Sequence, residues 1–412
     1  MSANLVWRRK ILPNGLVVLL YPSRSANTSQ LSVAVKYGSI QEPTEQAGVA
    51  HFLEHMLAGG SDKRIELSRS VEDSGGVLDF YTDREYILGT VDVLPHKLTD
   101  ASAILSELFF DDSFDEKKFV TEQKIILHEL AEVGDDPATR TEELLLEGLY
   151  KQHPIKRPVG GYPKTVKKLS LNQLRQEHQA NYVPGNMVLV LTGSYTEKDA
   201  ELVLKDFSGV KGNFRTQNKA YPLETFTPKP SAVEEKAGLT QTYLSIGART
   251  VCSTHPDAPA LDLISIILGG GTSSRLFIEL RERHAVTYDV DSSYSKGFSF
   301  GYFSINCAAN QRTADKAKNL IFKELGKLRS EPVPNGELER AKQIMVGGIL
   351  RGMDNPETML DILTFIEIQF GDEHALESYL EKRNALTNED IQTVAAKYLN
   401  QNCLCAAELK PI

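Results

Sequence analysis

The chain has 412 residues, 41% of them hydrophobic, which is enough to bury the cores of two or more domains. Its formal net charge is −9 with no long basic block, so nucleic acid is not expected as a partner. No apolar run approaches the roughly eighteen residues of a membrane span, so no membrane partner is expected either.

The amino-terminal MSANLVWRRKILPNG lacks the apolar stretch of a secretion signal, and the expected location is cytoplasmic. Within ILPNGLVVLLYPS, Asn14-Gly15 between two apolar runs predicts a hairpin. The next segment carries HFLEH at 51–55. On a helix His51, Glu54 and His55 stand at i, i+3 and i+4 and share one face. Two imidazoles so placed can grip one metal ion, with the carboxylate between them in reach of a water to be activated. Pro43 and Thr44 predict the start of this helix and Gly59-Gly60 its end, while small Ala47 and Ala58 extend the site face. Val49, Phe52, Leu53, Met56 and Leu57 on the other face predict its core contacts. The bland alternative is a core helix holding two hydrogen-bonded histidines.

Catalytic zinc usually keeps three protein ligands and an open position, so a third is needed. The segment from Ser113 to Val133 reads as a helix: Ser113 and Glu116 have capping-box spacing, and Phe119, Ile126 and Leu130 recur at helical intervals. Within it, Glu122 and Glu129 lie two turns apart on one face. Glu129 can ligate while Glu122 orients a ligand from behind. Taken alone, both would be read as solvated surface charges.

Further on, residues 214–235 carry Pro222, Pro228 and Pro230 among polar residues and predict a linker between domains at 1–213 and 236–412. The chain repeats across it. Gly59-Gly60 matches Gly269-Gly270 at an offset of 210, and DDPAT at 135–139 matches DNPET at 354–358 at an offset of 219. In that register Leu261, Ile264 and Ser265 stand where His51, Glu54 and His55 do, and Gly348 stands opposite Glu129, so the second copy has no zinc site. The glycines at 269–271 read as a tight turn, lacking the Lys-Ser/Thr of a phosphate loop. Cys252, Cys307, Cys403 and Cys405 fit neither a zinc knuckle nor a redox pair, and are read as buried or free thiols in a reducing compartment.

HxxEH followed by ExxxxxxE, with 74 residues from His55 to Glu129 (129 minus 55), resembles the inverted-motif zinc peptidases of the pitrilysin, insulysin and mitochondrial processing peptidase family, M16, in its short-chain form. The resemblance implies an α+β fold: two homologous α/β domains of the LuxS/M16-peptidase type, each an antiparallel-rich sheet flanked by helices, forming half of a clamshell. It implies His51, His55 and Glu129 as ligands of one Zn2+ per chain, Glu54 as general base and Glu122 as a supporting acid. The stretch SGGVLDFYTDRE, 74–85, sits where the family has an exposed edge strand that pairs with substrate backbone, making Asp79, Phe80, Tyr81 and Thr82 substrate-binding candidates. Usual members carry Asn-Ala where this chain has Asp79 and Phe80, a departure that bears on side-chain preference. In LRERHAVTYDV, Arg281 and Tyr288 match the family's arginine-tyrosine pair, which contacts substrate near the scissile bond.

The expected activity is endopeptide hydrolysis of unstructured peptides inside an enclosed chamber. Family chambers comprise four such domains, and this chain has two, so a homodimer is the expected assembly. Two other classes stay open: a catalytically silent or partner-dependent scaffold subunit of the same fold, and a metal-binding module without hydrolysis.

Overall fold

The computed structural model describes residues 7–210, 221, 224 and 227–412. In chain order these form β1 (Arg8–Ile11), β2 (Val17–Pro22), β3 (Ser29–Val35), α1 (Val49–Gly59), α2 (Asp62–Asp73), β4 (Val77–Thr82), β5 (Ile87–Val93), α3 (Leu98–Phe110), α4 (Glu116–Asp135) and α5 (Pro137–Leu149). Then follow α6 (Pro163–Val166), α7 (Leu171–Asn181), β6 (Met187–Gly193), α8 (Glu197–Ser208), β7 (Ser231–Lys236), β8 (Thr242–Arg249) and α9 (Ala258–Gly269). The chain closes with β9 (Thr287–Lys296), β10 (Gly301–Ala309), α10 (Ala314–Ser330), α11 (Asn335–Met353), α12 (Pro356–Gln369), α13 (Ala375–Ala385), α14 (Asn388–Tyr398) and β11 (Leu404–Pro411).

The strands make two mixed sheets, ordered β1-β2-β6-β3-β5-β4 and β7-β11-β8-β10-β9. In the first, β2 and β6 run parallel and every other pair is antiparallel. In the second, β7 and β11 run parallel and the rest antiparallel. Without β1, the two sheets share one connectivity, so the repeat in the sequence is a repeat of topology. The hairpin at Asn14-Gly15 forms as predicted, with Ile11 facing Val17 across it.

The strand residues alternate between the faces of the first sheet, as a pleat requires. Val18, Leu20, Leu31, Val33, Leu189 and Leu191 join the core that holds Val49, Phe52, Leu53, Met56 and Leu57 of α1, all fully buried. Leu19, Ala34, Leu88, Val188 and Val190 point the other way and are covered by Met359, Leu360 and Leu363 of α12. Both faces being covered explains the unbroken apolar reading of MVLVL in β6.

The chain resolves into two compact units, each drawing on both halves of the sequence. The first contains 1–131, 157–218 and 348–373, the second 132–156, 219–347 and 374–412. Helix α5 therefore packs on β7, β8 and β11 in the second unit, and α12 on β3 and β6 in the first. Half of the expected linker at 214–235 lies outside the described residues, and β7 begins at Ser231.

Two expected helix starts are corrected. Pro43 and Thr44 belong to a short 3-10 turn, and α1 begins at Val49 after Gly48, whose φ is +98°. Helix α4 is capped by Asp115, whose carboxylate accepts from the Lys117 and Lys118 amides at 2.7 and 3.2 Å. Ser113 is not available for this, because its hydroxyl donates to Asp111 at 2.6 Å.

Candidate metal centre

Helix α1 presents His51, Glu54 and His55 on the face turned away from its core residues, and α4 brings Glu129 to them. The Glu129 carboxylate divides between the two imidazoles: Oε1 lies 3.4 Å from His51 Nε2 and Oε2 3.2 Å from His55 Nε2. One donor atom from each of the three residues falls within 4.8 Å of the others. Glu54 Oε2 stands 3.7 Å from His51 Nε2, beside this cluster.

Glu122, two turns before Glu129 on α4, approaches the far side of the same ring, its Oε2 3.2 Å from His55 Nδ1. With Nδ1 donating to Glu122, Nε2 is turned toward the centre. The approach depends on Gly59, since a Cβ there would collide with the Glu122 carboxylate. Burial opposes charge on His55, but the hydrogen bonds to Glu122 and Glu129 outweigh it and push its pKa up to about 9. The hydrogen bonds to His51 and His55 hold Glu129 well below the usual carboxylate range.

A carboxylate gripping two Nε2 atoms needs positive charge between the three groups. A divalent cation would supply it. Nitrogen and oxygen donors in this number suit zinc with an open position, so the residues fit the metal that the sequence implied.

Glu54 is the remaining acid. Burial raises its pKa, while His51 and His55 and the hydroxyl of Thr82 pull it down. Thr82 Oγ1 donates to Glu54 Oε2 at 3.2 Å and ends β4, the last strand of the sheet. Along β4, Leu78, Phe80 and Thr82 are half-buried, whereas Val77, Asp79 and Tyr81 are exposed. Phe80 packs on Phe109 and is a core contact, while Asp79 faces solvent. The Tyr81 hydroxyl meets that of Tyr86 at 2.9 Å. Of the four candidates on this strand, Thr82 is the one that bonds to a residue of the metal centre.

Arg281 and Tyr288 belong to the second unit. Arg281 lies in a π-helical segment, Phe277–Arg283, and Tyr288 in β9. The guanidinium sits 4.4 Å from the tyrosine ring centroid, a cation-π pair, and Tyr288 is 79% exposed. The two residues seven apart in sequence are thus brought together.

Sequence reading missed Glu42. It is buried, and it holds the first turn of α1: Oε2 accepts from the Gly48 amide at 3.0 Å and Oε1 from the Ala50 amide at 2.8 Å. Capping-box spacing looks three residues ahead, whereas Glu42 reaches six and eight, so no local signal announces it.

Comparison with known proteins accounts for both units. The family model described as Insulinase (Peptidase family M16) matches residues 17–162, and that described as Peptidase M16 inactive domain matches 168–345. Among curated relatives, an uncharacterized zinc protease of Mycobacterium leprae is 26% identical, with 95% of this chain and 89% of that protein covered. Another of Bacillus subtilis is 24% identical over 96% of each. A solved protease from Helicobacter pylori superposes with a TM-score of 0.89 at 22% identity, covering 98% of this chain and 99% of that one, so the fold is shared nearly end to end. The second model's description suits a unit in which Leu261 and Ile264 stand where the first has His51 and Glu54. With a family domain matched in each half and relatives aligned along almost their whole length, the chain belongs to peptidase family M16.

Proposed function

We propose that the protein is a zinc-dependent endopeptidase acting on unstructured peptides, with one Zn2+ per chain held by His51, His55 and Glu129. The observation that carries this reading is the convergence of those three donors with Glu54 beside them. Zinc held there supplies Lewis acidity, polarising the substrate carbonyl and making a water easier to deprotonate at neutral pH. Glu54 takes the proton of the attacking water and delivers it to the leaving amine. Thr82 keeps one oxygen of Glu54 turned to the site, and Glu122 keeps the ring of His55 in one tautomer.

The edge position of β4 leaves backbone groups free on its outer side, and an extended peptide adds there as a further strand. Backbone pairing gives affinity with little dependence on sequence. Asp79, with its exposed carboxylate, favours basic side chains in the bound peptide. Arg281 and Tyr288 bind the peptide carbonyl and stabilise the oxyanion as it forms. A homodimer supplies the four domains of an enclosing chamber, and light scattering tests this: a fully active monomer overturns it. No described helix is long and apolar enough to cross a membrane. The protein is assigned to the cytoplasm, which cell fractionation checks.

The deciding experiment pairs metal analysis of the purified protein with cleavage of a quenched, unstructured peptide. Expected are about one zinc per chain and cleavage abolished by a chelator. Glu54→Gln should keep the zinc and lose activity by roughly 10²- to 10⁴-fold. Zinc bound with no peptide cleaved by the wild type would leave a metal-binding scaffold in place of an enzyme.

A further inference from the structure

Helix α1 starts in an unusual way. The first amides of a helix have no partner within it, and a Ser, Thr, Asp or Asn at the N-cap normally supplies one. Here the N-cap is Gly48 at φ +98°, and a Cβ at that position would run into the carbonyl of Gly160. The backbone path thus excludes a capping side chain at its usual place. Glu42, six residues upstream, takes over with both oxygens, one on the Gly48 amide and one on the Ala50 amide. Its own backbone carbonyl accepts from Arg157 Nη2 at 3.2 Å, and the same nitrogen donates to the Ser39 carbonyl at 3.0 Å. The loop that carries the clamp is itself tied down.

The residue after Ala50 is His51. A two-point grip on the amides of 48 and 50 fixes both the rotation and the axial position of the turn from which the first imidazole projects. Placing a carboxyl group here is costly: burial pushes Glu42 up to about 8, against the pull of its two amide bonds and of Arg157. The matching helix without ligands is entered differently: the amide of its N-cap residue, Asp257, donates to the ring nitrogen Nδ1 of His255 at 3.0 Å. At the offset of 210, Cys252 stands where Glu42 does (252 minus 42). The N-cap of α9, Asp257, makes no capping bond, its carboxylate being taken by Lys397 at 2.7 Å and Tyr398 at 2.6 Å.

We infer that Glu42 is a positioning residue of the metal centre, setting the entry of α1 so that His51 and His55 meet Glu129 around one ion. This rests on the metal site proposed above. Zinc affinity tests it, measured by competition with a chromophoric chelator well below the melting temperature of each protein. In Glu42→Gln one of the two amides faces an NH2 group instead of an acceptor. Expected are a loss of zinc affinity of roughly tenfold or more, an altered visible spectrum of the cobalt-loaded protein, and kcat restored by excess zinc with KM little changed. A folded Glu42→Gln protein that melts earlier yet binds zinc as the wild type does, with an unchanged cobalt spectrum, overturns the inference and leaves Glu42 a stabilising cap. If Glu42→Gln does not fold, Glu42→Asp takes the same titration: it keeps the carboxyl group but is one methylene short, so weakened zinc binding supports the inference and unchanged binding overturns it. His55→Ala separates the two readings. If it loses zinc while the Glu42 variant keeps it, only the present inference fails; if it keeps zinc, the proposed metal site fails as well.

Discussion

Helices α1 and α9 follow matching strands in matching sheets, and over 49–59 against 259–269 they share only Ala50/Ala260, Leu53/Leu263 and Gly59/Gly269. In α1 the apolar residues 49, 50, 52, 53, 56 and 57 form one face, leaving His51, Glu54 and His55 with 12, 15 and 17% of their side chains exposed. In α9 the apolar residues run nearly all round, and Leu261 and Ile264, the counterparts of His51 and Glu54, are fully buried. Ser265, the counterpart of His55, turns its hydroxyl back onto the Asp262 carbonyl at 2.7 Å. Across the sheet cores the two units are alike. The fold therefore asks this helix for a single apolar stripe, and the opposite face is free to take either chemistry or more core.

That contrast predicts unequal consequences at equivalent positions. The largest effect is expected for His55→Ala, which should abolish zinc binding and reduce peptide cleavage to the level of the chelated wild type, as read by metal analysis and a fluorogenic peptide. Next come Arg281→Ala and Tyr288→Phe in the second unit. If these groups stabilise the oxyanion, each should lower kcat by roughly 10²-fold with zinc content unchanged; wild-type turnover in both would confine the chemistry to the first unit. Stability sharpens the comparison further. Leu261→Ala should cost about 2–5 kcal/mol in urea unfolding, as a cavity in a core does, while His51→Ala at the matching position should change the metal-free protein by about 1 kcal/mol or less.

The smallest effect concerns pH and separates a buried histidine from the two at the centre. Burial, helped by the nearby Arg64 guanidinium, pushes His178 down from its ordinary 6.5 to about 4, although Nε2 reaches the Phe109 carbonyl at 2.9 Å. Below pH 6.5 the unfolded chain gains a proton on this ring that the folded chain does not take up until about 4. Its contribution to stability is thus complete above 6.5 and is lost as pH falls toward 4. Melting temperatures across that interval should fall less steeply in His178→Gln, and an unchanged slope would assign the acid sensitivity to other groups.

The metal centre was legible because its geometry is local. Positions i, i+3 and i+4 on one helix, and i and i+7 on another, follow from helical pitch alone, and the duplication showed in glycine pairs and in the Asp-Pro and Asn-Pro helix starts, where Asp136 and Asn355 cap α5 and α12. What was not legible depends on partners far along the chain. The start of α1 is set by Glu42 and by the close passage of Gly160, and neither leaves a mark at Pro43 or Thr44. Ser113 looked like a cap because spacing cannot show that Asp111 already holds its hydroxyl. Nor does an amphipathic pattern say which sheet a helix will cover: α5 and α12 have ordinary apolar faces, and nothing in them declares that each packs on strands of the other half of the sequence.

That last arrangement constrains how the protein is made. One side of the first sheet, with Leu19, Ala34, Leu88, Val188 and Val190, is covered by the buried side chains of Met359, Leu360, Leu363 and Ile368, with Met353 and Trp7 packed beside them. During synthesis all six strands of that sheet emerge before its cover exists, and the apolar surface must wait for some 165 further residues (359 minus 193 is 166) to leave the ribosome. A fragment ending near residue 213 would keep every metal ligand and still present this bare face to water, so it should aggregate unless α12 is supplied as a separate peptide. Ligand retention and foldability are thus set by different parts of the chain.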